Sequence, residues 1–184
     1  MDGRPLRADA RRNQERLIAA ARDAFTEHGE RASLDDIVKR AGVGPGTLYR
    51  HFPNREALLG AVYRDGVEGL AAQAKELSET LPPMQALTEF LRLQVAYGKS
   101  KHGLGVAVKA TLDSDSEVLT WCRDTLRAAI RSLLEAAQKD GEVREGVEPA
   151  ILLRLTHGVA MASENAPEES DRLLEIVIDG LRPR

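Results

Sequence analysis

Residues 33–59 constrain the fold of this chain more tightly than any other stretch. Ser33 stands where a helix N-cap belongs, its hydroxyl placed to accept a first-turn N–H. Asp36, three residues on, is placed to reach back as the acid of a capping box. Leu34, Ile37, Val38 and Ala41 recur at i, i+3, i+4 and i+7, which predicts a helix over 34–41 with one apolar face. Gly42 follows where a helix ends in a left-handed residue. Pro45 then opens a second helix that runs to His51, barely two turns long, with Leu48 and Phe52 facing inward. Pro53 blocks its continuation and Asn54 caps the next helix. A helix, a tight turn and a short second helix with a sharp exit make a helix-turn-helix.

That packing leaves Gly46, Thr47, Tyr49, Arg50 and His51 on outer or flanking positions. A helix lying against phosphates and base edges uses such residues: hydroxyls and guanidinium donate to phosphate oxygens, and Arg reads guanine. Gly44 and Gly46 remove side chains where the helix N-terminus has to approach a duplex, and such a terminus attracts anions. The bare outline occurs as well in helical proteins that never touch nucleic acid. The string Thr47-Leu48-Tyr49-Arg50-His51-Phe52, followed by Pro53-Asn54-Arg55-Glu56-Ala57-Leu58-Leu59, goes further. It resembles the signature of the TetR family of bacterial transcriptional regulators: a Gly-Val turn, a small residue, Gly-Thr-Leu-Tyr-x-His-Phe, then a short cap and Lys-Glu-x-Leu.

The resemblance implies an all-α protein whose first three helices form a DNA-binding head and whose remaining helices bind an effector and dimerise. Carried over position by position, Thr47, Tyr49 and His51 match residues that contact backbone or bases. Arg55 replaces the usual Lys and is expected to hold a phosphate. Ser33 matches a hydroxyl that touches phosphate, while Pro45 and Arg50 occupy variable recognition positions, with Arg50 the candidate for base readout. Gly44 departs from the Ser often found there. Asp35 lies where some relatives carry a basic base-reading residue; it could accept from cytosine or simply favour the helix start.

Charge is distributed to match. The chain of 184 residues has net charge −3, yet residues 1–64 hold 12 Lys+Arg against 9 Asp+Glu, and the other 120 hold 14 against 20. The positive surplus sits with the motif, where phosphate is met. Arg4, Arg7, Arg11 and Arg12 read as a flexible basic arm (residues 1–12) that could lie along a groove or stay solvated. The N-terminus lacks the apolar stretch of a secretory signal, no apolar run spans a bilayer, and the single Cys122 forms no internal disulfide. A cytoplasmic protein without membrane partner is expected. No metal-ligand spacing, phosphate loop or nucleophile–base pair is visible, so neither cofactor nor enzyme is expected.

The periodicity predicts about nine helices and no convincing strand: 9–28, 34–41, 45–51, 54–80, 84–100, 104–112, 116–139, 149–165 and 168–181, punctuated by Gly and Pro. The expected head is 1–53 and the effector and dimerisation domain 54–184, with the 54–80 helix as connector. The resemblance places the homodimer in a four-helix bundle of 149–165 and 168–181. Tyr97, His102, Trp121, His157, Met161 and Asn165, polar or aromatic in otherwise aliphatic helices, are the candidate pocket for an unidentified small-molecule effector. The expected function is a sequence-specific regulator on an inverted-repeat operator in double-stranded DNA, a repressor released by its effector. The alternatives are an activator or effector-free regulator of the same fold, or a helical protein-interaction module.

Overall fold

The computed structural model describes residues 4–163 and 166–183, and every regular element among them is helical. The α-helices are α1 (Arg4–His28), α2 (Leu34–Ala41), α3 (Pro45–His51), α4 (Arg55–Thr80), α5 (Pro83–Ser100), α6 (His102–Thr111), α7 (Glu117–Lys139), α8 (Pro149–Ala162) and α9 (Ser170–Asp179). Short 3-10 turns at Gly29–Arg31 and Pro167–Glu169 precede α2 and α9. Asn165, where the eighth helix was expected to end, lies outside the described residues.

The chain forms two compact units. The first comprises residues up to Gly66 together with Lys101–Leu119; the second comprises Val67–Ser100 and everything from Thr120. This departs from the boundary expected at residue 53, for a packing reason. Leu58, Leu59 and Val62 of α4 are fully buried with Leu17, Phe25, Ile37 and Leu48 in the first core, so the start of α4 belongs to the head. Leu104, Ala107 and Val108 of α6 complete the same core. The second unit closes around Phe90 and Leu91 of α5, Ile130 and Leu133 of α7, Leu152 of α8, and Leu174 and Ile178 of α9.

Local chemistry in the first unit sets the angle between α2 and α3. Gly42 ends α2 at φ 61°, ψ 40°; its N–H donates to the Lys39 carbonyl (3.1 Å) and that of Val43 to the Val38 carbonyl (3.2 Å). Those two bonds are a Schellman turn. Gly44 is extended (φ −78°, ψ 153°), and Pro45 starts α3 with Thr47 N–H bonded to the Gly44 carbonyl at 2.9 Å. Asn54 caps α4 as expected, its Oδ1 accepting the Ala57 N–H at 2.8 Å. The basic arm is corrected: residues 1–3 lie outside the described residues, and Arg4 to Arg12 form the first turns of α1. Within α1, Arg11 pairs with Glu15 and Arg12 with Asp9, i,i+4 and i,i+3 spacings that support a helix there.

The turn at Gly42 gives a direct test. Gly42→Ala forces an L side chain into the left-handed region, whereas the nearby Arg16 guanidinium is a flexible group that moves aside. The expected cost is about 1–2 kcal/mol, measured as a lower urea midpoint; an unchanged midpoint would mean that the turn does not restrain the head.

Candidate nucleic-acid interface

From Ile37 to Arg55 the chain carries four cations, Lys39, Arg40, Arg50 and Arg55, and no carboxylate. The structure sorts them. Lys39 and Arg50 are exposed and form no ion pair among the described residues. Arg40 is consumed internally, by Glu27 at 2.9 Å and Asp36 at 2.6 Å. The hydrogen bond with Glu27 holds its guanidinium above the ordinary Arg range, helped by the charge of Asp36 and opposed by some desolvation. Asp36 is therefore no capping-box acid: it turns along α2 to Arg40 instead. Ser33 does occupy the N-cap, extended at φ −88°, ψ 133°, and its carbonyl accepts the Ile37 N–H at 3.1 Å. Its hydroxyl makes no cap bond and is exposed, so the expected cap role of the side chain is not what the structure uses.

On α3, buried Leu48 and Phe52 fix the inner face. Pro45, Gly46, Tyr49 and Arg50 are exposed, while Thr47 and His51 are half-buried beside them. Tyr49 leaves 55% of its surface to solvent. A Cβ added at Gly44 or Gly46 would meet nothing within 4 Å. Neither residue has a positive φ. These two glycines thus answer no need of the head's own packing. Asp35 is exposed at the start of α2.

Arg55, expected to hold a phosphate, is bonded within the head itself. Its Nη1 donates to the Ala32 carbonyl and its Nη2 to the Glu30 carbonyl, both at 2.6 Å. Its guanidinium carbon sits 4.9 Å above the Phe25 ring. Two carbonyls and an aromatic face are held by one planar cation, a geometry that Arg offers and Lys does not. Sequence pattern alone gives no sign of this, because the partners are backbone atoms more than twenty positions away.

The candidate effector residues are dispersed. His102 begins α6 in the first unit; Tyr97, Trp121, His157 and Met161 belong to the second, on α5, α7 and α8. His157 is exposed, Tyr97 packs against the second core, and Trp121 and Met161 are half-buried. A groove of about 710 Å³ in the second unit lies between α5 and α9, lined by Met84, Thr88, Glu89, Arg92, Ile178 and Arg182 among others; none of the expected residues borders it. The polar pair missed by sequence is Gln94 and Thr156, 8% and 2% exposed in an aliphatic core. The Thr156 hydroxyl lies 3.3 Å from Gln94 Oε1 and 3.0 Å from the Leu152 carbonyl. Only a contact between α5 and α8 makes them visible, since each alone reads as an ordinary helix residue.

A helix ended by a Schellman turn and a short second helix with an exposed basic and aromatic face have the outline of a helix-turn-helix DNA-binding regulator. Comparison with known proteins agrees. Residues 17–62 match the model of bacterial regulatory proteins of the tetR family, and residues 82–183 that of the C-terminal domain of SbtR-like transcriptional regulators. The chain is similar to the HTH-type transcriptional regulator UidR of Escherichia coli K12, 27% identical over 162 residues, covering 84% of this chain and 83% of UidR. The structure of TetR regulator SCO0520 from Streptomyces coelicolor is 36% identical, covers 92% of this chain and 98% of its own, and superposes with a TM-score of 0.78. RolR, solved with resorcinol, shares the fold at 20% identity and a TM-score of 0.65, over 95% of this chain and 89% of its own. The chain belongs to the TetR family of transcriptional regulators.

The two kinds of polar residue at this surface separate by stability. Tyr49→Ala removes an exposed ring and is expected to change folding stability by less than about 0.5 kcal/mol. Arg55→Ala strips donors from the Glu30 and Ala32 carbonyls and is expected to cost about 1–2 kcal/mol. Thermal unfolding of the two variants checks the contrast; equal melting temperatures would refute it.

Proposed function

We propose that this regulator is a homodimeric repressor that binds an inverted-repeat operator through α3 and leaves it when a small molecule occupies the second unit. The observation that carries the DNA contact is the outer face of α3, where Tyr49 and Arg50 stand in solvent beside two glycines that the head's packing does not require. Arg50 reads a base, Thr47, Tyr49 and His51 meet backbone and base edges, and Ser33 and Lys39 on the α2 side meet phosphates. Pro45 and Gly46 bring the start of α3 close to the duplex. Arg55 serves this contact by holding the head together.

A seven-residue helix buries too little surface for specific binding alone, so two heads are needed about 34–36 Å apart on one DNA face. The second unit supports that pairing. Ile151, Leu155, Gly158 and Ala162 recur at spacings of four, three and four, and all four are exposed along one stripe of α8. Ile176 of α9 is 64% exposed. Large apolar side chains placed in solvent on neighbouring helices suit a four-helix bundle with a second copy. None of the described helices is long and apolar enough to cross a membrane, and the proposed work place is the cytoplasm.

Selection of genomic fragments by the purified protein at physiological salt tests the DNA reading: recovery of a shared inverted repeat is expected, and salt-sensitive binding without a shared sequence would sink it. In the same assay Gly46→Ala is expected to fold at least as well as the wild type while losing operator affinity, because the added methyl meets nothing inside the protein.

The dimer is tested by Leu155→Glu, which puts a charge into the proposed bundle. Sedimentation is expected to move to the monomer, with operator binding lost and helical content kept; an unchanged dimer would exclude the α8 face.

A further inference from the structure

The 3-10 turn ahead of α2 is gripped from two sides by residues that lie outside α2 and α3. On one side stands Arg55, with its two bonds to the Glu30 and Ala32 carbonyls. On the other stands Gly103, in the first turn of α6. A Cβ placed there would lie 2.5 Å from the Thr26 carbonyl oxygen and 2.9 Å from that of Phe25. Both those atoms are backbone, so no side-chain motion relieves the approach. Gly29, at φ +55°, faces Gly103 across this seam, its own added Cβ 3.4 Å from the Gly103 carbonyl oxygen.

Helix electrostatics explain why the seam forms. The last carbonyls of α1 have no partner inside the helix and carry its negative end. The first turn of α6 presents the positive end of another helix, and a residue without side chain lets the two backbones meet. Phe25 joins the two grips: its carbonyl faces Gly103 and its buried ring underlies the Arg55 guanidinium. Leu104, Ala107 and Val108 then anchor α6 in the same core as Ile37 and Leu48. The turn 29–32 sets where α2 begins, and α2 sets the placement of α3 through the Gly42 turn.

We propose that Gly103 and Arg55 are positioning residues for operator recognition: together they clamp the turn 29–32 between α6 and α4, and the clamp fixes the aim of α3. The proposal rests on the DNA-binding function argued above. It gives α6 a part in sequence specificity although α6 carries none of the proposed DNA contacts.

The test uses the full-length protein, the inverted repeat that the wild type selects from random duplexes, and a duplex of unrelated sequence. Gly103→Ala is expected to lower the preference for the selected repeat by about tenfold or more, while affinity for unrelated duplex stays within about twofold. Amide hydrogen exchange over 29–44 should accelerate and far-UV dichroism should stay the same. Gly105→Ala, on the same helix with nothing within 4 Å of the new methyl, should match the wild type. Arg55→Lys keeps the charge but not the fork, and is expected to lose preference with an unchanged salt slope. Should Arg55→Lys and Gly103→Ala both keep the wild-type preference and exchange, the clamp is refuted. It is equally refuted if specific and unspecific binding fall in parallel with unfolding, which assigns Gly103 a folding role only. Failure of the wild type to select any repeat would count against the DNA reading, and exchange over 29–44 would still decide the clamp.

Discussion

Everything this head does depends on a helix too short to stand alone. Seven residues span about 10 Å, and an isolated helix of that length is marginal in water. The direction of α3 is therefore borrowed. Leu48 and Phe52 anchor its inner face among Phe25, Ile37, Leu58 and Leu59, and Gly42 fixes the corner at which it leaves α2. The outer face is then free to carry residues chosen for a partner, because none of the stability rests on them. This division of labour lets Tyr49 remain in solvent in a folded protein.

Much of this was legible in sequence because the signals are local. Capping residues, a left-handed glycine, a proline at a helix start and apolar spacing of three and four act within one or two turns. The bounds of α2 and α3 follow from them to the residue and most other helices to within a few residues, whereas α1 starts five residues before the expected position. What was not legible depends on which surface meets which. The stripe Leu104, Ala107 and Val108 predicts a helix but carries no label for the core it joins, and it joined the head. Asp36 has the spacing of a capping acid and also of an i,i+4 partner for Arg40; the second won, since Glu27 brings a further carboxylate to the same guanidinium. The candidate pocket residues stand out by being polar or aromatic, a property of single positions, whereas Gln94 and Thr156 form a pair across two helices.

Charge, too, depends on which groups meet. The surplus of cations in the first 64 residues is real, but a side chain bonds a phosphate only with donors that its own neighbours leave free. Arg22 is tied to Asp65, Arg16 to the Gly42 carbonyl at 3.1 Å, Arg40 to two carboxylates and Arg55 to two carbonyls. Lys39 and Arg50 are what this leaves along the motif. A small number of well-placed cations suits the proposed pairing of two heads, because each head alone would release few counterions and hold DNA weakly.

Glycine carries three different meanings within this one head. At Gly42 the backbone torsion demands it, and at Gly103 two carbonyls do. At Gly46 nothing inside the protein does. The first two are explained by the folded chain and would be kept in any protein that used this corner and this seam. The third is unexplained until a surface outside the chain is brought to within van der Waals distance, and the start of a basic, aromatic helix is where a DNA duplex would supply one.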